Sequence, residues 1–172
     1  RIDTSKRLLA IVVVSVAIGV AVLSFLLSPS TKAAQNYINL DDLDCMAKNI
    51  YFEARNEATV GQLAVAQTVI NRVNSSRFPN SICGVVYQGL HTKNGFPLKD
   101  RCQFSWYCDG RDDEPRKDSR SWRKSVEIAQ MMILSKDWMP DVIDGATFYH
   151  ADYVNPRWSQ EKRMVVRIGS HL

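Results

Sequence analysis

Residues 8 to 27, LLAIVVVSVAIGVAVLSFLL, carry no charge, and a run of that length leaves a chain few options. About 20 predominantly apolar residues is what a helix needs to cross a bilayer, so the segment reads as one N-terminal transmembrane helix, a signal anchor. A secretory signal peptide is the other reading, but its apolar region normally extends over about 7–15 residues. The small residues of STKAA, just beyond the run, leave room for later cleavage. Arg1, Lys6 and Arg7 precede the run and only Lys32 follows it closely. The positive-inside rule then keeps the N-terminus in the cytoplasm and exports everything after residue 28. The expected organisation is a cytoplasmic tail and anchor over 1–28, a linker of small and polar residues over 29–40, and one folded domain over 41–172. The expected location is the inner membrane, crossed once, with the domain in the periplasm.

An exported domain meets an oxidising compartment. Its four cysteines, Cys45, Cys83, Cys102 and Cys108, are therefore read as two disulfides, for which three pairings exist. Cys102 and Cys108 bracket QFSWY and could close a small loop, which leaves Cys45 for Cys83. Buried free thiols and a metal site are the other readings, and no CxxC spacing supports the metal. The formal charge of +4 suits an acidic polymer such as a bacterial wall but identifies no partner, because much of the excess lies in the N-terminal tail and in mixed-sign loops.

Hydrophobic periodicity predicts a mostly helical α+β domain. Leu43, Met46, Ala47, Ile50 and Ala54 recur at helical spacing over about 41–56, with Asp41 and Asp42 as cap and first turn. GQLAVAQTVINRV predicts a second helix, apolar nearly all round and hence central. Ser81 caps a short helix through ICGVVYQ. Residues 89–101 read as loop, CQFSWYC as a short hairpin or tight loop, and 118–136 as a helix carrying Trp122, Val126, Ile128, Ala129, Met132 and Ile133. GATFYHA and RMVVRIGS, short and β-branched, predict two strands near the end.

Within that frame one acidic side chain stands out. Glu53 follows Met46 by seven and Ile50 by three, which places it on or beside the buried stripe of the first helix. Burial favours the protonated form of a carboxyl group, and a protonated carboxyl at neutral pH is what a general acid needs to release a leaving oxygen. The bland alternative is a helix-border glutamate paired with Arg55 or solvent. Glu57, one turn later, could raise the pKa of Glu53 by like-charge proximity or simply be a solvated helix end. Asp109, Asp112, Asp113 and Glu114 could supply a second carboxylate, but the interleaved Arg111, Arg116 and Lys117 read as a solvated loop. Gln103, Ser105 and Trp106 could line a sugar cleft, the amide and hydroxyl bonding acetamido groups and the indole stacking on a pyranose. Alternatively Phe104 and Trp106 anchor a disulfide loop. His91, His150 and His171 form no HExxH pair, which disfavours a zinc amidase. A non-catalytic wall-binding module remains open, since binding clefts use the same aromatics and amides.

The block NIYFEARNEATVGQLAVAQTVINRVNSSRFPNSICGVVYQ, then CQFSWYCDG, GATFYHADYVNPRW and IGSHL, resembles the successive motifs of the SleB-like cell-wall hydrolase family, over about Asp44 to Leu172. The resemblance implies a lysozyme-like α+β domain that cleaves peptidoglycan between N-acetylmuramic acid and N-acetylglucosamine. It implies that Glu53, the glutamate of EAR, is the catalytic acid, and that Tyr149 and His150 lie near it as candidate substrate-binding residues, His150 either orienting substrate or being a satisfied structural histidine. It further implies a peptidoglycan glycosidase, usually of the lytic transglycosylase type, in which the 6-hydroxyl of muramic acid attacks its own anomeric carbon and no second carboxylate is obligatory, with muramidase-type hydrolysis as the alternative. Its phage branch suggests an endolysin with a releasable signal anchor. The expected partners are peptidoglycan and the inner membrane, with no cofactor, metal or nucleic acid. Members of the family commonly have Gly after EAR where this chain has Asn56, which is expected to take the left-handed conformation that ends the helix. Both ends read as trimmed, the chain opening on Arg1 and stopping at IGSHL.

Overall fold

A computed structural model of the chain describes residues 38–172. The predicted span at 8–27 lies outside the described residues, among which no helix is long and apolar enough to cross a membrane.

The first helix, α1 (Leu40–Ala54), starts one step earlier than its acidic pair suggested. Asn39 is the cap, its Oδ1 accepting the backbone N–H of Asp41 at 2.9 Å, while Asp41 and Asp42 occupy the first turn, where the helix dipole favours negative charge. Its stripe is buried as the spacing required: Met46, Ala47 and Ile50 are fully enclosed and Ala54 nearly so. The helix ends without a left-handed residue. Arg55 is right-handed and Glu57 N–H closes a turn on the Ala54 carbonyl at 2.9 Å, and among the described non-glycine residues only Asp100 and Asp144 have positive φ. Asn56 therefore does not play the part expected of it.

The second helix, α2 (Thr59–Val73), is central in fact, packing against α1, against α3 (Ile82–Val86) and against α4 (Arg120–Ser135). Val65, Ala66, Val69 and Ile70 are buried, and full burial of a valine or isoleucine contributes about 1.5–3 kcal/mol. Ser81 caps α3 by accepting Gly84 N–H at 3.1 Å, and Ser119 caps α4 by accepting Trp122 N–H at 3.1 Å. The predicted stripe of α4 holds: Trp122, Ile128, Ala129 and Met132 are buried, with Val126 and Ile133 packed at the margin. Both predicted disulfides are present, Cys45–Cys83 and Cys102–Cys108.

Residues 89–101, read as loop, form an antiparallel hairpin of β1 (Gly89–His91) and β2 (Pro97–Cys102). Most of both strands is exposed, so neither shows the apolar alternation by which a strand is recognised. The Asn94-Gly95 pair, with Gly95 at φ +83°, was the available turn signal. Gly89 is required by close approach, since a Cβ there would meet Cys102 Sγ at 2.8 Å. QFSWY is no hairpin: Ser105–Cys108 is a 3-10 turn, the tight-loop alternative.

The two predicted C-terminal strands do not form. Residues 150–152 and 170–172 exchange three backbone hydrogen bonds, His150 N–H to Leu172 O, Leu172 N–H to His150 O and Asp152 N–H to Ser170 O, and the pairing amounts to isolated bridges at Ala151–His171 and Ile168–His171. Left-handed Asp144, Gly145 and Gly169 break the extended backbone on both sides. A 3-10 turn at Arg157–Glu161 intervenes.

A candidate acid site on the first helix

Glu53 occupies the last turn of α1 and is half-buried. Its carboxyl faces the segment that follows α4. Tyr149 donates its hydroxyl to Glu53 Oε2 at 3.0 Å, and Oε1 has no hydrogen-bond partner among the described residues. Burial raises the pKa of Glu53 above the ordinary carboxyl range; the Tyr149 hydrogen bond and then the Arg72 charge oppose the rise without cancelling it. Burial foremost, and the neighbouring carboxylate next, push the Tyr149 phenol well up, so this hydroxyl stays protonated and acts as donor. The result is a carboxyl poised to hold a proton, with one oxygen fixed and the other unencumbered.

Arg72 escaped the sequence reading. It sits in the last turn of α2 and is 4% exposed. Its Nε donates to the Thr147 carbonyl at 2.8 Å, and its guanidinium lies 4.9 Å from the Phe104 ring, 5.3 Å from Phe78 and 5.8 Å from Phe148, where cation–π attraction offsets part of its lost hydration. Burial lowers its pKa, and Tyr149 and then Glu53 counter that; an arginine remains charged in any case. The signal in the sequence was a lone cation on a helix otherwise apolar nearly all round.

Glu57 is not a solvated helix end. Ser170 donates to its Oε1 at 2.6 Å, and the neighbouring Gly169 is left-handed at φ +59°, a backbone conformation that favours glycine. This contact ties the C-terminal turn to the turn that follows α1. His171, next along, meets the Tyr149 ring edge-on at 5.2 Å.

The other predicted residues separate. Trp106 is 6% exposed; its Nε1 donates to Asn49 Oδ1 at 3.1 Å and its ring stacks on Phe52 at 4.8 Å. It is the anchor of the disulfide loop, and as placed it offers no face to a sugar. Phe52, half-buried and adjacent to Glu53, is the outer ring of that stack. Gln103 and Ser105 are exposed and share no hydrogen bond with Glu53; the link to the acid runs through Phe104, buried at 2% exposure against Arg72. His150 is half-buried, its Nδ1 2.9 Å from the Ala151 carbonyl and its ring edge-on to Trp158 at 5.5 Å. The acidic loop turns away from the site: Glu114 pairs with Lys48 at 3.1 Å and with Lys117 at 3.6 Å.

Tyr149→Phe removes the donor that favours the ionised carboxyl. The Glu53 pKa is then expected to rise further, read from the pH dependence of the carboxyl carbon shift in glutamate-labelled protein. A fall, or no change, would show that the hydrogen bond does not bear on the acid.

A family model described as Cell Wall Hydrolase matches residues 56–172, beginning just after the acid. The spore cortex-lytic enzyme of Oceanobacillus iheyensis is 41% identical over 147 residues, which are 84% of this chain and 45% of that protein. That of Halalkalibacterium halodurans is 30% identical over 133 residues, 77% of this chain and 34% of that protein. The chain thus spans less than half the length of these curated relatives. The crystal structure of the catalytic domain of the Bacillus cereus SleB protein superposes with a TM-score of 0.55 at 26% identity, covering 84% of this chain and 97% of that one. The catalytic domain of a germination-specific lytic transglycosylase SleB from Bacillus anthracis gives 0.54 at 26% identity, covering 83% and 96%. With a matching family model over most of its length and the lysozyme-like, helical fold of the SleB catalytic domain around a small hairpin, the chain belongs to the cell wall hydrolase family.

Proposed function

We propose that this protein cleaves the glycan strands of peptidoglycan between N-acetylmuramic acid and N-acetylglucosamine as a lytic transglycosylase, with Glu53 as general acid and then base. The observation that carries the proposal is the environment of that carboxyl: proton-retaining, held through one oxygen by Tyr149, and without a carboxylate partner among the described residues. Glycosidases that use water or a protein nucleophile set two carboxyl groups about 5–9.5 Å apart across the bond. Here the groups that act on Glu53 are a phenol and a guanidinium, and Glu57 is engaged by Ser170.

The step balances with one carboxyl. Protonated Glu53 gives its proton to the bridging oxygen as the bond from that oxygen to muramic acid C1 breaks, and the N-acetylglucosamine end departs as an alcohol. The 6-hydroxyl of the same muramic acid attacks C1 and returns its proton to the Glu53 carboxylate, closing an anhydro ring and restoring the acid. The cationic Arg72 stabilises the carboxylate that exists between the two transfers. The lytic transglycosylase named among the structural relatives supports the same chemistry.

Mass spectrometry of digested sacculi tests the proposal. Products ending in 1,6-anhydromuramic acid are expected, 18 Da lighter than hydrolysed ends by the water not consumed. Reducing muramic acid ends throughout would replace this mechanism with hydrolysis.

A further inference from the structure

The acid–base step leaves unused a cavity of about 480 Å³ between α2 and the segment from Ile143 to Leu172, within the size range of ordinary ligand pockets. Tyr149 belongs to both places, its hydroxyl on Glu53 and its side chain in the cavity lining. One wall is aromatic: Phe148 and His150 each pack on Trp158 at 5.5 Å. Three cationic side chains line the cavity, Arg77, Lys162 and Arg163, against one acidic side chain, Asp144. Arg163 and Asp144 pair with each other at 3.7 Å. That leaves Arg77 and Lys162 with no carboxylate partner among the described residues. Neither is loose: Lys162 Nζ stands 4.3 Å above the Phe148 ring and Arg77 donates to Thr147 Oγ1 at 3.5 Å.

We infer that this cavity is the subsite for the acidic peptide that muramic acid carries on its lactyl ether. The inference rests on the function proposed above and adds to it what the enzyme reads besides sugar. The N-acetylated sugars of the strand are neutral and give two unpaired cations nothing to neutralise, whereas the stem peptide brings carboxylates on a short, partly aliphatic chain. That peptide leaves from the very sugar whose anomeric bond Glu53 would protonate, so a cavity sharing Tyr149 with the acid lies on its path. Arg77 and Lys162 take the carboxylates. Phe148 and Trp158 cover the aliphatic parts.

The test is a binding measurement on the full chain with two soluble probes that share a disaccharide, one bearing the tetrapeptide stem and one stripped of it. The stem-bearing probe is expected to bind at least about tenfold tighter, an advantage that shrinks with added salt. Lys162→Glu and Arg77→Ala should each reduce the ratio of the two affinities, and Arg111→Glu, a charge change on the loop outside the cavity lining, should preserve it. Equal affinity for the two probes, or a ratio unmoved by the cavity variants, overturns the inference and hands the cavity to sugar alone. Because binding is read directly, the two proposals fail separately: stem selectivity without any glycan cleavage keeps the subsite and rejects the enzyme, and anhydro products without stem selectivity do the reverse.

Discussion

The Glu53→Gln chain is expected to clear cell walls about 10²–10⁴ times more slowly than the parent, the range that a positioned general acid typically supplies. The two side chains have nearly the same shape, so what is lost is the transferable proton. A variant that keeps more than about a tenth of the parent rate would move the chemistry to another residue, and unchanged wall association with no clearing by either protein would mark a binding module. Stability gives a second, independent reading of the same carboxyl. Because its folded pKa is raised, the folded state holds more protons than the unfolded state between the ordinary glutamate value and the raised one. Stability from this group is therefore fully present below the ordinary value and lost as pH rises through the raised value. Glutamine carries no such penalty. The variant should melt relatively higher at neutral pH than at pH 4, and a melting difference independent of pH would show that Glu53 is not perturbed in the folded protein.

How far the sequence was legible depended on how much each residue's neighbours in the chain are also its neighbours in space. Helices α1, α2 and α4 bury stripes whose spacing is written locally, so their extents and core residues could be read directly. The hairpin at 89–102 has no buried face to write a pattern, and Met164 and Val165 looked like strand residues while standing 65% and 38% exposed. The acid site mixes both cases. Glu53 was legible because its own helix sets its depth. Tyr149 was expected near it through resemblance, but the hydrogen bond spans 96 residues of chain and no periodicity encodes that. Trp106, by contrast, looked like a sugar platform because its chemistry suits one; only the fold reveals that Phe52 and Asn49 already occupy it. Arg72 and the Glu57–Ser170 contact are long-range pairings of polar groups, invisible until the C-terminal segment is laid against α1 and α2.

The largest stability effect is expected from the bridge between Cys45 and Cys83. It closes a span of 38 residues, and Cys102–Cys108 closes one of 6. In the chain-entropy account, cross-linking removes freedom from the unfolded state in proportion to the logarithm of loop length, which gives about 4 kcal/mol for the long loop and about 2 kcal/mol for the short one. Against a total stability of about 5–15 kcal/mol for an ordinary domain, loss of the long bridge is close to a decision about folding. It also acts on the site. Cys45 lies 5% exposed on α1, and beside the bridge Asp42 Oδ1 accepts Cys83 N–H at 3.2 Å, so α3 is fastened to the first half of the helix that ends at Glu53. The short bridge holds only the turn that carries Trp106. The double variant Cys45→Ala/Cys83→Ala should therefore melt about 10 °C or more below the parent and lose wall clearing as it unfolds. Cys102→Ala/Cys108→Ala should fall by roughly half as much, since its closed loop removes about half the entropy. Thermal melts of the two variants under oxidising conditions decide the matter, and an equal or inverted order would mean that native packing around the small loop, and not the length of chain it closes, sets what each bridge contributes.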